Sequence, residues 1–443
     1  MQLKKIIRLV KESFLLLKFL PMKINKDMLE NGLRVLTAEM PGSKSATVLL
    51  LVRAGSRYET KNLNGIAHFA EHMFFKGTKK RPTAVEIASL IDSLGAEFNA
   101  FTSKEYTGFY IKAASNHLEL VTEVLSDMLM NSKFDQEEIN RERNVIAEEL
   151  RMYLDTPMRH IGDVFEQLLF GDQPLGWDTV GTLESLANIN RADFLSYNAK
   201  YYLGPNMLFV VGGDVTIEKG YLLAERYFST LPKKSSPSFQ KVKFDQTKPA
   251  LKLSYKDSEQ AHLCLGVRSY PLGHPDRYKV KVLNSILGSS MSSRLFIQLR
   301  ERRGLAYYVR SGVEEYHDAG YLAAQAGVEP KNINEAIKVI LAEFAEIASK
   351  SVDDKELSKA KEYLKGRLIL ELEDSREVST MFGLQELLER KIRTVEEIIQ
   401  EIDKVSKENV REAAKKLFVE DSLNLAIIGP FKKEEQFIND LKF

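Results

Sequence analysis

Cysteine is nearly absent from this chain: Cys264 is the single one among 443 residues. That excludes an internal disulfide and any metal cluster built on several thiolates. It suits a reducing compartment, and a cytoplasmic location is expected. Net charge is nearly absent as well, with 63 Lys and Arg against 62 Asp and Glu for a formal +1. A chain without a basic excess has no overall field to gather nucleic acid, so no nucleic-acid partner is expected. Histidine is scarce, seven in all. What is present, 44% hydrophobic and 28% charged residues, is the composition of a globular protein, in a chain long enough for two or more domains.

Residues 1–21 stand apart. Lys4, Arg8, Lys11 and Lys18 recur at roughly helical spacing, and Ile6, Val10, Phe14, Leu17 and Leu20 fill another face. The pattern fits a basic amphipathic helix making weak contact with a membrane surface; the alternatives are a disordered leader, or an upstream start codon with translation beginning at Met22. It is too short for a transmembrane span. Lys18 and the lack of a small-residue cleavage site argue against a signal peptide.

From Met22 the chain reads as α+β. Leu29–Glu39 and Ala46–Arg53, rich in Val, Leu and Thr and bounded by Asn-Gly and Pro-Gly, predict a strand hairpin. Gly55–Asn64 reads as a polar loop. Thr83 and Glu86 have capping-box spacing for a helix that Gly95 stops. Glu97–Ala113 alternates as a strand pair broken near Ser103–Lys104, His117–Met130 and Asp135–Tyr153 read as helices, and Met207–Val211 as a strand. Residues 231–250, with Pro-Lys-Lys-Ser-Ser-Pro-Ser and no periodicity, read as a linker. Beyond it the pattern repeats: strands at His262–Arg268 and Gly320–Ala326, and helices at Asp276–Leu287, Asn332–Ser349 and Asp354–Glu373. Val352-Asp-Asp-Lys-Glu-Leu357 echoes Phe134-Asp-Gln-Glu-Glu-Ile139. A duplicated unit accounts for this, giving a leader (1–21), an N-terminal α/β unit (22–230), a linker (231–250) and a C-terminal α/β unit (251–443).

The chemistry centres on Gly65-Ile-Ala-His-Phe-Ala-Glu-His-Met-Phe-Phe-Lys-Gly77. On a helix, His68 and His72 project from one face one turn apart, and Glu71 points the same way. Two neutral imidazoles at that spacing can share a metal ion, while a carboxylate between them is suited to act as general base. A third ligand must come from elsewhere in the chain. The bland alternative is a helix with two core histidines and a solvent-facing Glu, an unusual combination in a core.

The H-x-x-E-H order resembles the inverted-motif zinc peptidases of the insulinase, pitrilysin and mitochondrial processing peptidase group, and is most similar to its short microbial processing-peptidase-like members. The resemblance runs from Leu29 to about Ile428. It implies that Arg141-Glu-Arg-Asn-Val-Ile-Ala-Glu-Glu149-Leu supplies the distal ligand as Glu149, 77 positions after His72. Glu142 would be a supporting acid on the same helix face, and Glu148 the competitor for the ligand role. Gly95–Thr107 is similar to the family's edge strand, where Asn99 and Ala100 would offer backbone groups to an extended substrate. Leu299–Ser311 is similar to a second-half motif whose Arg and Tyr, here Arg300 and Tyr307, reach the active site and donate hydrogen bonds to substrate or oxyanion. The equivalent of the metal helix in the second half, near Ser285–Ser293, holds no ligands. The resemblance therefore implies one zinc ion per chain on His68, His72 and Glu149, Glu71 as catalytic base, endopeptidase activity on unfolded peptides or flexible segments, and a homodimer in which each chain is half of a clamshell chamber. The rival expectation is a non-catalytic structural or partner subunit of a peptidase-like complex.

Overall fold

The computed structural model describes residues 22–443, and the leader, 1–21, lies outside the described residues together with the expectation of a surface helix. Two sheets organise the chain. The first contains β1 (Lys23–Met28), β2 (Arg34–Glu39), β3 (Ser45–Val52), β4 (Glu97–Thr102), β5 (Thr107–Ala114) and β6 (Met207–Gly213), in the order β1-β2-β6-β3-β5-β4. The second contains β7 (Ala250–Tyr255), β8 (Ala261–Arg268), β9 (Ala306–Glu315), β10 (Gly320–Val328) and β11 (Asn424–Gly429), in the order β7-β11-β8-β10-β9. Without β1, the two orders are the same. Each sheet has one parallel pair, β2 with β6 and β7 with β11, and closes with an antiparallel hairpin, β4–β5 or β9–β10. The duplicated α+β unit is thus present at the level of topology. The helical echo is real too: Asp135 accepts from the Glu137 N–H at 2.9 Å, and Asp353 from the Glu356 N–H at 2.8 Å, each capping a long helix at the same place in its half.

One expectation from the sequence needs correction. Leu29–Glu39 and Ala46–Arg53 do not pair as a hairpin, because β6 lies between β2 and β3. The Asn31-Gly32 turn, with Gly32 at φ +86°, instead joins β1 to β2. Nearly every residue of β2, β3 and β6 is buried. Strands buried on both faces belong in the centre of a sheet, and the all-apolar Met207–Val211 takes the place between them. The polar loop 55–64 is present, with two short 3-10 turns, and its Ser56, Arg57, Glu59 and Asn64 are buried. The Thr83–Glu86 capping box, the break at Ser103–Lys104 and the helices of both halves stand as expected.

Neither half covers its own sheet completely. One face of the first sheet packs under helices of its own half. On the other, Leu36, Leu49, Leu51 and Val210 meet Val378 and Phe382 of helix Ser375–Leu384, which comes from the second half. The approach is close: a Cβ at Gly212 would stand 2.5 Å from the Ser379 hydroxyl. Reciprocally, helix Pro157–Phe170 of the first half lays Ile161, Phe165 and Leu169 against Cys264, Ala323 and Ala426 of the second sheet. Each fully buried Phe in such a seam contributes about 1.5–3 kcal/mol relative to exposure. Between the halves the segment 230–249 carries no helix or strand. Among the described residues, no helix is long and apolar enough to cross a membrane.

One polar junction ties these parts together. The buried Arg57 guanidinium donates to Glu105 and to Asp318, each at 2.5 Å, and to the Gln240 carbonyl at 3.2 Å, and it stacks on the Phe239 ring at 3.9 Å. Glu105 also accepts the His317 N–H at 3.0 Å. The segment ahead of the metal helix, the β4–β5 turn, the β9–β10 turn and the inter-half segment therefore meet at one side chain. Arg57→Leu strands two carboxylates, and the expected cost is about 3–5 kcal/mol, read as an earlier urea midpoint. A shift no larger than that of an exposed Arg substitution would show that the junction carries no such weight.

Candidate metal centre

Helix Ile66–Phe74 is set by its own periodicity. Ile66, Ala67, Phe69, Ala70, Met73 and Phe74 are buried, leaving His68, Glu71 and His72 on the remaining face. Phe69 packs edge-on against Phe194, and Phe74 against Phe109 and Phe134, so the apolar side fixes the rotation of the polar one. Helix Gln136–Leu154 crosses it, burying Ile139, Glu142, Ile146 and Leu150, and Glu149 shares that inward side.

The geometry brings the expected ligands together. His68 Nε2 lies 3.7 Å and His72 Nε2 3.6 Å from the same oxygen of Glu149, and the imidazole centroids are 4.6 Å apart. His68, His72 and Glu149 form a group whose ligand atoms lie within 4.8 Å of one another and could hold a metal ion. The donor chemistry fits zinc, two imidazoles and one carboxylate with a position left open. Burial, and then the proximity of His72, lower the His68 pKa to about 3, so its ring is neutral and its lone pair available. Glu148, the rival for the distal position, is exposed and paired with Arg151.

Surrounding groups hold these residues in place. Glu142 Oε1 receives His72 Nδ1 at 2.8 Å, directing Nε2 toward Glu149. Lys76 reaches the other Glu142 oxygen at 2.5 Å. Burial opposes the Glu142 charge, but the hydrogen bonds from His72 and Lys76 outweigh it, and its pKa is lowered. Burial likewise disfavours charge on His72, and the Glu142 hydrogen bond with the nearby carboxylates reverses the sign, so its pKa is raised. Glu71 is raised by burial, aided by Glu149 and opposed by the Thr102 hydroxyl, which donates to Oε2 at 2.5 Å. Sequence reasoning passed over Thr102, Lys76 and the buried Glu59. It also passed over a second group of potential ligands, His160, Asp163 and Asp178, in which His160 lies 3.5 Å from Asp163.

The substrate-contact candidates fall in two places. β4 is an edge strand beside the metal helix, and Asn99 and Ala100 pair inward with Tyr110 and Phe109. The Ala100 N–H is already bonded to the Asn99 side-chain oxygen at 2.8 Å, so an added strand would displace that side chain. Glu71, His72, Phe75, Ile87, Phe98 and Asn99 line a cavity of about 340 Å³ there. Arg300 and Tyr307 belong to the other sheet: Arg300, in the π-helical turn Phe296–Glu301, donates to the Tyr307 carbonyl at 2.8 Å, and Tyr307, on edge strand β9, is 74% exposed. Among the described residues, neither has a hydrogen bond, ion pair or ring contact with the metal-centre residues. Helix Arg277–Leu287, between β8 and the β9–β10 hairpin, occupies the place of the metal helix in the second half and carries no His, Asp or Glu.

These features are a group that could hold a metal ion, with an adjoining carboxylate, on one half of a duplicated chain. Comparison with known proteins gives the class a family. The family description "Insulinase (Peptidase family M16)" matches residues 34–183, and "Peptidase M16 inactive domain" matches 188–364. Curated relatives include the uncharacterized zinc protease YmxG of Bacillus subtilis, 38% identical over 402 residues and spanning 90% of this chain and 97% of that protein. An uncharacterized zinc protease of Mycobacterium leprae is 35% identical over 94% of this chain and 93% of its own length. The fold matches a protease from Helicobacter pylori, with a TM-score of 0.87 at 24% identity over 92% of this chain and all of the other. It also matches a peptidase M16 inactive domain from Pseudomonas fluorescens, with a TM-score of 0.86 at 21% identity over 93% of this chain and 99% of the other. The chain belongs to the M16 (insulinase) peptidase family.

Glu142→Gln tests the support around His72. It removes the carboxylate charge from Nδ1 and is expected to weaken zinc binding by about 10–100-fold, read by competition with a chromogenic chelator. Glu148→Gln, the exposed neighbour, is expected to leave affinity unchanged. Equal affinities for both variants would contradict the assignment.

Proposed function

We propose that the protein is a zinc-dependent endopeptidase that cleaves unfolded peptides or flexible segments in the cytoplasm. The observation that carries this is the placement of Glu71 on the face shared by His68 and His72, with one carboxylate oxygen held by Thr102. His68, His72 and Glu149 would hold the ion. Zinc, when bound, supplies a Lewis acid that polarises the scissile carbonyl and lowers the pKa of water. Glu71 takes the proton from the attacking water and gives it to the leaving amine as the C–N bond breaks. Burial raises its pKa above the ordinary carboxylate value, which strengthens it as a base. Glu142, clamped by Lys76, keeps His72 in the tautomer that leaves Nε2 free.

The substrate lies as an extra strand along β4, its main chain bonding to the edge and one side chain entering the cavity between Phe75, Ile87 and Phe98. Strand addition demands an extended backbone, which selects unfolded segments. The N-terminal unit, 22–230, carries the chemistry, and the C-terminal unit, 251–443, contributes Arg300 and Tyr307. The exposure of Tyr307 on an edge strand supports a homodimer in which each chain lends this pair to its partner.

Incubated with a peptide library, the zinc-loaded protein is expected to cut, and a chelator to stop it, with the cuts mapped by mass spectrometry. Glu71→Gln and Arg300→Ala chains, each poorly active alone, are expected to regain about a quarter of wild-type activity when mixed and allowed to exchange subunits, because half the dimers then carry one intact site. Absence of zinc-dependent cutting would overturn the function, and absence of recovery on mixing would overturn the sharing between chains.

A further inference from the structure

We propose that Glu59 is a positioning residue for the metal centre: its carboxylate sets the first turn of helix Ile66–Phe74 and, through it, the place of His68. The inference rests on the metal-centre reading above and extends it to a residue outside the H-x-x-E-H motif.

A helix start leaves backbone N–H groups without partners, and a Ser, Thr, Asp or Asn at the N-cap ordinarily accepts one of them. Here the N-cap is Gly65, at φ +94° and with no side-chain cap. No capping residue can replace it, because a Cβ at position 65 would stand 2.3 Å from the Val180 carbonyl oxygen. The acceptor must come from elsewhere in the chain, and Glu59 supplies it. Its Oε2 accepts from the Gly65 N–H at 2.7 Å and from the Asn64 amide at 2.9 Å, and its Oε1 accepts from the Ala67 N–H at 2.8 Å. Both oxygens are engaged, and a carboxylate there also complements the positive end of the helix dipole.

The two histidines are supported differently. His72 is held through Nδ1 by Glu142. His68 has no such partner: its Nδ1 is buried and has no hydrogen bond among the described residues. His68 directly follows Ala67, so its setting depends on the backbone of the turn that Glu59 caps. Glu59 is in turn two residues from Arg57, which is fastened to both halves of the molecule. Asn64 is anchored as well, donating to the Asp178 carbonyl and accepting from Ser185, at 2.9 and 2.7 Å.

The test compares the full wild-type chain with Glu59→Gln and Glu59→Asp. Zinc affinity is read by competition with a chromogenic chelator, and folding of the metal-free proteins by thermal unfolding. Gln turns an N–H₂ toward one set of donors, and Asp keeps the charge but loses a methylene of reach. Glu59→Gln is expected to fold and to bind zinc about 10–100-fold more weakly, with Glu59→Asp in between. Affinity within about twofold of wild type in a folded Glu59→Gln would overturn the proposal. So would failure of both variants to fold, since the role would then be confined to the fold. Affinity is measured without substrate, so a wild-type protein that binds zinc but cuts nothing would end the peptidase reading and leave this result intact.

Discussion

The crossing of two helices is the constraint on which the rest of this molecule depends. His68 and His72 come from helix Ile66–Phe74 and Glu149 from helix Gln136–Leu154, and a metal ion tolerates errors of only a few tenths of an ångström in where its ligands stand. Neither helix can set that distance alone. Phe69 and Phe74 lock one against Phe194, Phe109 and Phe134, and Ile139, Ile146 and Leu150 lock the other. The polar contacts Glu142–His72 and Lys76–Glu142 then finish on a small scale what the apolar packing begins. Buried charge in this region is tolerated because each charged group meets a donor or an opposite charge.

Duplication explains the wider arrangement. The two sheets share a strand order, but helix Ile66–Phe74 between β3 and β4 carries His68, Glu71 and His72, while its counterpart Arg277–Leu287 carries no His, Asp or Glu. In the proposed enzyme the first unit carries the chemistry, and the second has an exposed edge bearing Tyr307, beside Arg300. The exchange of helices, Ser375–Leu384 onto the first sheet and Pro157–Phe170 onto the second, joins the two so that neither sheet is buried without the other half. Arg57 adds a polar fastening at the same seam.

How much of this was legible in the sequence depended on whether the cause was local. The metal helix, the Thr83–Glu86 capping box and the hairpin around Ser103–Lys104 follow from periodicity and turn chemistry within a few residues, and they appear as expected. Glu149 and Glu142 became visible through family resemblance, since nothing local distinguishes Glu149 from Glu148; only the crossing helix does. Strand order was not legible: β2 and β3 look like hairpin partners until β6, from about 150 residues later, is inserted between them. Glu59 and Thr102 were invisible for the same reason. Each acts on the metal helix from another segment.

The central claim is that Glu71 performs proton transfer at a metal site it does not help to build. The most direct measurement pairs metal content with cleavage in Glu71→Gln, a change of nearly equal size that keeps the helix and its Thr102 neighbour. The account predicts one zinc ion per chain, as in the wild type, with cleavage of a quenched peptide reduced by at least about 10²-fold. Full cleavage by Glu71→Gln with its zinc in place would contradict it.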